Sequence, residues 1–454
     1  MRREDRGSLV MEKTLKEILG RITPTEEERK RELAFAGEIT SYLKRFDVKP
    51  LVVGSLAKGT DLRGDKDLDI FIMFPEETSR EKLEQEGLRI GKTVFKKFRG
   101  THEIDYAEHP YVKGRIREFD VEIVPCYAGR SMKSSVDRTP HHTRYVKRKI
   151  SEHPGLSGEI RLLKQFMKGA RVYGAEAKVQ GFSGYISEIL TIHYGSFIGA
   201  LEAAVDWHFG EALDPEGLWE DAESLKYFFT HAALIVVDPT DKDRNTAAAV
   251  SRQSFAGFIH AAKQFLKKPS KEFFFPKKRK PKSLTELKDK IRKRGTKLVA
   301  FRLSHGKINE NTLYAQLRKT EESVKKTFAD NEFKVFKTGF WTNETDTSVI
   351  LYEFEVWRLP PIRHHAGPPI DAEGAHQESF VETHKKHKPY IKDGRWVADI
   401  ERRVQHIEDL LPSLIKKREG FGKNLRKTKV TILHDEQALT IKDETYLIFL
   451  GEFL

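Results

Sequence analysis

Residues 54–75 read GSLAKGTDLRGDKDLDIFIMFP, and this stretch decides the fold of the segment around it. The run from Leu68 onward is rich in β-branched and aromatic residues, which predicts a strand. Residues i and i+2 of a strand point to the same face, so Asp67 and Asp69 are expected side by side. Two carboxylates at that spacing repel, and each raises the pKa of the other unless a cation joins them. The stretch therefore predicts a carboxylate pair that serves a cation.

Composition narrows the class of protein. The chain has 454 residues, 38% of them hydrophobic. It contains no run of the roughly 18 or more apolar residues that a membrane helix needs. Its first twenty residues carry charges throughout and lack the apolar segment of a secretory signal. Cys126 is the single cysteine, which excludes an intramolecular disulfide. We therefore expect a cytoplasmic protein with no membrane partner.

The charge balance bears on the partner. The net charge is +13, from 81 Lys and Arg against 68 Asp and Glu. Basic groups that bind phosphates release condensed counterions, so this surplus suits a nucleic acid. A generally charged surface is the alternative, since acidic residues are also abundant.

Hydrophobic patterning predicts a multidomain α+β protein. Residues 1–144 mix strands and helices without regular βαβ alternation, which favours an α+β head. Residues 145–275 carry apolar residues at helical spacing and are expected to form a helical central domain, or neck. The basic, proline-broken run at 273–284, FFFPKKRKPKSL, indicates a domain boundary. Residues 276–454 are expected to form an α+β body with a tail, in which residues 378–421 are mostly helical.

A later strand, FDVEIVPCY at residues 119–127, adds carboxylates to the aspartate pair. Its alternation places Asp120 and Glu122 on one face. Three carboxylates on neighbouring strands can hold two Mg²⁺ ions, which prefer hard oxygen ligands. Two such ions would activate an attacking hydroxyl and stabilise the leaving oxygen of a phosphoryl transfer. The Gly54-Ser55 turn would bring backbone N–H groups close to phosphate oxygens.

This order of elements resembles the nucleotidyltransferases of the DNA polymerase beta superfamily: Gly-Ser, a spacer, an alternating Asp-x-Asp strand, then a third acid. Further segments are similar to the archaeal (class I) CCA-adding enzymes. The most specific of them is YGAE followed by GFSGY, within residues 173–185. Other segments of this kind are EIRLLKQFMK, VVDPTDKDRNTAAAV, RGTKLVAFRL, NTLYAQL and PYIKDGRW. The resemblance runs from about Thr23 to near Phe421.

The resemblance implies a polymerase-beta-type head and template-independent addition of C, C and A to the 3′ end of tRNA from CTP and ATP. The tRNA 3′-hydroxyl would attack the nucleotide α-phosphate and release pyrophosphate. By position, the ligands of two Mg²⁺ ions would be Asp67, Asp69 and Glu122. The nucleotide contacts would be Gly54, Ser55, Lys58, His142, Lys164, Tyr173 and Arg244, with Arg244 reading the base edge.

The chain departs from the family at two positions. Glu122 stands where aspartate is usual, so Asp120 is a rival third ligand. Lys58 stands where arginine is common, and a point charge there should still bind phosphate.

Four of the assigned residues have ordinary structural interpretations. Lys164 could be an ordinary solvated helix lysine, and Tyr173 could be a packing aromatic. His142 could be a loop residue bonded to backbone, and Arg244 could pair with Asp241 or Asp243.

The resemblance also implies partners. These are the acceptor stem and TΨC arm of tRNA, gripped by shape and phosphate contacts, and a second copy of the chain in a homodimer. The histidine-rich segment 364–387 lacks the spacing of a zinc site and is expected to be a loop near RNA phosphates. The alternatives are another template-free transferase, such as a poly(A) polymerase or an oligoadenylate-type synthetase, and a non-catalytic RNA-binding protein.

Overall fold

A five-stranded mixed sheet forms around the strand that carries Asp67 and Asp69. The computed structural model describes residues 3–129 and 134–454. The chain divides into two compact units, Met1–Lys277 and Lys278–Leu454. The division falls within the basic run at 273–284. A separate head (1–144) and neck (145–275) within the first unit stay a prediction.

The first unit contains helices and strands throughout its length. Its described helices are α1 (Arg3–Ile22), α2 (Glu26–Leu43), α3 (Gly54–Lys58), α4 (Arg80–Lys97), α5 (Thr139–Glu152), α6 (Leu156–Gly169), α7 (Gly184–Tyr194), α8 (Phe197–Ala204), α9 (Ala222–Phe228) and α10 (Arg252–Lys267). Its described strands are β1 (Lys49–Val52), β2 (Asp67–Pro75), β3 (Thr101–Tyr106), β4 (Pro110–Ile116), β5 (Phe119–Ala128), β6 (Glu211–Leu213), β7 (Leu234–Asp238) and β8 (Asp241–Asn245).

The second unit is also mixed. Its helices are α11 (Leu284–Arg294), α12 (Glu310–Asp330), α13 (Gly374–Thr383), α14 (Ile407–Lys417) and α15 (Glu444–Phe453). Its strands are β9 (Lys297–Ser304), β10 (Lys334–Thr342), β11 (Thr347–Val356), β12 (Ile362–Pro369), β13 (Tyr390–Lys392), β14 (Arg395–Glu401) and β15 (Lys429–His434). Across the described ranges, no helix is both long and apolar enough to span a membrane.

The five-stranded sheet has the order β1-β2-β5-β4-β3, and β2 and β5 are its one parallel pair. Alternate residues of β2, beginning with Leu68 and Ile70, join a core shared with α2 and α4. Val121 of β5 joins the same core. Because side chains alternate along a strand, Asp67 and Asp69 lie on the opposite face. The sheet therefore has one face packed by helices and one face that carries carboxylates.

The segment predicted to be helical from 145 to 275 consists largely of helices around an aromatic core that includes Phe166, Phe182 and Phe258. It also contains a three-stranded sheet, β6-β7-β8, that the helical prediction did not include. All five residues of β7, LIVVD, are buried. A short run of β-branched residues buried on both sides is typical of a central strand, which explains the difference.

Two corrections concern the second unit, which has one four-stranded and one three-stranded sheet. Residues 390–401, predicted to be helical, form the hairpin β13–β14. Asp393 and Gly394 have φ of +49° and +74°, as a two-residue hairpin turn requires. The histidine-rich segment is not a loop, because His364 and His365 lie on β12 and α13 follows. Strand β15 lies at the edge of the four-stranded sheet.

Candidate active site

A cavity of about 620 Å³ opens on the carboxylate face of the five-stranded sheet. The structure brings most of the predicted site residues to this one cavity. Those that line it are Gly54, Ser55, Lys58, Asp67, Asp69, Glu122, Lys164 and Tyr173. His142 and Arg244 do not line it and lie in a neighbouring cluster described below.

The carboxylates are arranged by the register of the parallel strands β2 and β5. Asp67 pairs with Asp120, and Asp69 pairs with Glu122. All four residues line the cavity. Asp67 and Asp120 are exposed, whereas Asp69 and Glu122 are partly buried. The sheet thus presents two neighbouring rows of acids, and the row of Asp69 and Glu122 is the deeper one.

Burial and mutual repulsion make these acids difficult to ionise. Burial, followed by the charge of Asp67, raises the pKa of Asp69 to about 6. Burial, followed by the charge of Asp69, raises the pKa of Glu122 to about 7. The pKa of Asp67 is raised by burial and then by Asp65 and Asp120. A positive charge in the cavity would favour the ionised form of all three groups.

The donor set fits a divalent cation chemically. Asp67, Asp69 and Glu122 offer hard carboxylate oxygens, the ligands that Mg²⁺ prefers. As the side chains stand, no three His, Cys, Asp or Glu residues among those that the structure describes are arranged as a metal-binding group. The fit therefore rests on the chemistry of the donors and on their raised pKa values.

Gly54, the first residue of α3, lies against the carboxylate of Asp69. Its φ is +71°, in the region that favours glycine. A Cβ placed on Gly54 would lie 1.9 Å from Asp69 Oδ2, closer than any contact allows. The backbone N–H of Val53 donates to the carbonyl of Asp69 at 2.9 Å. The glycine is thus required by both conformation and space, and it places Ser55 and Lys58 beside the acids.

A buried glutamate that the sequence reasoning missed joins the two predicted lysines. Glu188 of α7 is fully buried, and its carboxylate accepts from Lys58 Nζ at 2.5 Å and from Lys164 Nζ at 2.9 Å. Burial alone would raise the pKa of Glu188, but the charges of Lys164 and Lys58 outweigh it and hold the value at about 2. The signal in the sequence was a lone acid within the apolar run ISEILTI.

Lys164 is not an ordinary solvated lysine on a helix surface, because only 2% of its surface is exposed. Burial lowers its pKa, against the opposing effect of Glu188. Tyr173 is partly buried and lines the cavity, and Lys168 Nζ lies 5.3 Å from the centre of its ring.

A second buried carboxylate, that of Asp238, joins the two predicted residues outside the cavity. Its Oδ2 contacts His142 Nε2 at 2.7 Å and accepts from Arg244 Nη1 at 2.7 Å. Its Oδ1 accepts from the hydroxyl of Tyr185 at 3.0 Å. The rings of His142 and Tyr185 stack at 3.9 Å, and Tyr185 lines the cavity. Tyr185 therefore connects this cluster to the acidic site.

These contacts decide two alternatives. His142 lies within helix α5 and contacts a side chain, so it is not a loop residue bonded to backbone. Burial lowers its pKa, although Asp238 acts in the opposite direction. Arg244 pairs with Asp238 and not with Asp241 or Asp243, and Asp241 instead accepts from Arg138.

Comparison with known families covers most of the chain. Residues 35–151 match the nucleotidyltransferase domain, and residues 158–275 match the second domain of tRNA nucleotidyltransferase. Residues 294–434 match the C-terminal domain of the CCA-adding enzyme. The matches therefore reach both compact units.

Curated relatives give the same result over nearly the whole length. The chain is 36% identical to the CCA-adding enzyme of Methanosarcina acetivorans, over 96% of this chain and 97% of that protein. It is 38% identical to the CCA-adding enzyme of Methanosarcina barkeri, over 87% of each chain. It is 35% identical to that of Methanocaldococcus jannaschii, over 90% of this chain and 91% of that protein.

Proposed function

The chain belongs to the CCA-adding enzymes, and from this premise we propose that its acidic cavity extends the 3′ end of tRNA with C, C and A. The substrates are CTP and ATP, and no nucleic-acid template is used. The observation that carries the proposal is the pairing of Asp69 with Glu122 beside the Gly54-Ser55 turn. This arrangement places acids that fit a divalent ion next to a backbone turn suited to a triphosphate.

The reaction is one phosphoryl transfer for each nucleotide. The 3′-hydroxyl of tRNA gives up its proton to solvent, and its oxygen forms a bond to the α-phosphorus. The bond from that phosphorus to the oxygen that bridges to the β-phosphate breaks, and pyrophosphate leaves. Asp67, Asp69 and Glu122 would hold divalent cations, and we propose that these are two Mg²⁺ ions. When bound, these ions would neutralise phosphate charge and lower the pKa of the attacking hydroxyl.

The protein's own residues bind and orient the nucleotide. The N–H groups of the Gly54-Ser55 turn and the Ser55 hydroxyl donate to phosphate oxygens, and Lys58 adds a charge on the same side. Tyr173 and Lys164 line the same cavity. Arg244, held by Asp238, offers N–H donors to the acceptor edge of cytosine and, after a small shift, to adenine.

The remaining assignments follow the family. We propose that residues 1–144 form the catalytic head, residues 145–275 the neck, and residues 276–454 the tRNA-binding body and tail. The body would recognise the acceptor stem and TΨC arm through A-form shape and phosphates. A cytoplasmic location and a homodimer complete the proposal. A poly(A) polymerase or oligoadenylate-type synthetase is not favoured, because the relatives described above are CCA-adding enzymes.

The test uses a tRNA that lacks its three 3′-terminal nucleotides. Incubation with CTP, ATP and Mg²⁺, followed by sequencing of the product, should show three added nucleotides in the order C, C, A. The Asp67→Asn/Asp69→Asn variant should add none. Long tails from ATP alone, or full incorporation by the double variant, would refute the proposal.

A further inference from the structure

Glu188 is a fully buried acid on α7 for which the proposed chemistry has no role. Its neighbours Ile186, Ile189 and Leu190 all belong to the apolar core. An ionised carboxylate in such surroundings is costly unless it is paired and hydrogen-bonded. The residues that pair with the Glu188 carboxylate therefore indicate its role.

Three donors bond to this carboxylate. Oε2 accepts from Lys58 Nζ at 2.5 Å, and Oε1 accepts from Lys164 Nζ at 2.9 Å and from Thr60 Oγ1 at 2.6 Å. Lys58 and Lys164 are 106 positions apart in the sequence and line the same cavity. Glu188 thus links Lys58 of helix α3 to Lys164 of helix α6.

The two lysines differ in what they can still offer. An ammonium has three N–H groups. Those of Lys164 go to Glu188 Oε1, to the carbonyl of Thr60 at 3.2 Å and to Thr60 Oγ1 at 3.0 Å. Among the residues that the structure describes, the Lys58 ammonium donates one hydrogen bond, to Glu188. Lys58 therefore retains donors that can face the cavity, whereas those of Lys164 are all engaged.

We propose that Glu188 is a positioning residue that fixes Lys58 for the incoming triphosphate, and that Lys164 keeps Glu188 ionised. Lys58 has a flexible stem, and a fixed partner removes the rotamer entropy that would otherwise be lost when the nucleotide binds. Lys164 neutralises the second oxygen of the carboxylate, so that Glu188 can remain ionised without drawing Lys58 away from the cavity. The proposal rests on the proposed function, because it assumes that a nucleoside triphosphate occupies this cavity.

The test is the Glu188→Gln variant, which keeps the shape of the side chain and removes its charge. We expect the KM for CTP and for ATP to rise by the same factor, about tenfold, since an ordered charged hydrogen bond is lost from a group common to both nucleotides. The KM for tRNA should stay unchanged, and kcat should change much less than KM. A merely structural role would lower kcat through a smaller active fraction and leave KM unchanged, and that result would overturn the proposal.

A double-mutant cycle tests the route through Lys58. If Glu188 acts on the nucleotide only by holding Lys58, then the Lys58→Gln/Glu188→Gln variant should have the same nucleotide KM as Lys58→Gln alone. Additive effects of the two substitutions would contradict the proposal.

Two controls show whether the Glu188→Gln variant is folded and whether the cavity binds a nucleotide. Thermal unfolding shows whether Glu188→Gln is folded. If it is not, Thr60→Val replaces it, because this variant removes the hydroxyl bond to Oε1 and keeps the carboxylate. We then expect the KM values for CTP and ATP to rise by the same factor, smaller than for Glu188→Gln. Unchanged KM values would overturn the proposal. Titration of CTP onto the protein without tRNA gives the same comparison even if the proposed function fails.

Discussion

Asp69 and Glu122 lie opposite each other, in register, on the parallel strands β2 and β5. Asp120 is two residues before Glu122 on the same face, but it lies opposite Asp67 and is exposed. In the deeper pair, burial, followed by repulsion from a neighbouring acid, raises the pKa of both Asp69 and Glu122. This relationship separates the two candidates for the third ligand.

We expect Glu122→Gln to reduce nucleotide incorporation by about three orders of magnitude or more, as the loss of a group that stabilises the transition state does. Asp120→Asn is the matched control on the same strand and face, and it should retain activity within about tenfold. Single-turnover incorporation of CTP measures both. The reverse order of the two effects would assign the third ligand to Asp120.

The acids should destabilise the metal-free protein at high pH. The pKa values of Asp69 and Glu122 are about 6 and 7, above the ordinary values of 3.8 and 4.5. The folded state therefore binds more protons than the unfolded state between about pH 4 and pH 7. Because a raised pKa favours the folded state only while the group is protonated, this contribution is present at low pH and is lost as the pH rises through that window.

It follows that Asp69→Asn should stabilise the metal-free protein at pH 8 by about 2 kcal/mol, after allowance for the partial exposure of the side chain. At pH 4 the gain should vanish, because Asp69 is already protonated there. Thermal unfolding in the presence of a chelator measures the difference. Addition of Mg²⁺ at pH 8 should stabilise the wild type more than the variant. A variant that is no more stable than wild type at pH 8 would refute the electrostatic account.

Much of the site was readable from the sequence because it depends on strand periodicity. The alternation in residues 67–75 and 119–128 placed Asp67, Asp69, Asp120 and Glu122 correctly on one face of a sheet. The spacing of these acids along their strands could not say which of them lie opposite each other. That depends on the register of β2 against β5, which side-chain contacts far apart in the sequence determine.

The buried carboxylates Glu188 and Asp238 were missed for a different reason. Glu188 is a single acid in an apolar segment, and Asp238 ends the apolar strand β7. What marks each of them is the set of partners that tertiary folding brings to it. The hairpin at Asp393-Gly394 differs from the predicted helix although its signal, an Asp-Gly turn, is local.

Asp238 should control how well the enzyme distinguishes bases. Its Oδ2 fixes Arg244 and His142, and its Oδ1 accepts from Tyr185. An amide has a single acceptor oxygen and no charge, so it cannot keep all three contacts. We expect Asp238→Asn to reduce the preference for CTP over UTP, at the first added position, by about tenfold or more, since bonds to a charged group are lost. Asp243→Asn, at an exposed acid on the neighbouring strand β8, is the matched control and should leave the preference unchanged. Equal preference in all three proteins would show that Asp238 has no part in base selection.

Gly54 should tolerate no side chain. A second glycine allows the cost of a positive φ to be separated from the steric clash of a Cβ with Asp69. Gly54→Ala forces a Cβ into Asp69 Oδ2, so the turn and the carboxylate must move apart. We expect incorporation to fall by about two orders of magnitude or more, because small displacements of reacting groups have effects of that size.

Gly64 is the matched control for this prediction. It also has a positive φ, +88°, but a Cβ there meets nothing within 4 Å. Gly64→Ala should therefore show only the conformational cost, about 1 kcal/mol of unfolding free energy, and should keep its activity. Thermal unfolding and CTP incorporation, measured on both variants, separate the two effects. If the two alanine variants lost activity equally, the cause would be backbone conformation in this segment and not the approach of Gly54 to Asp69.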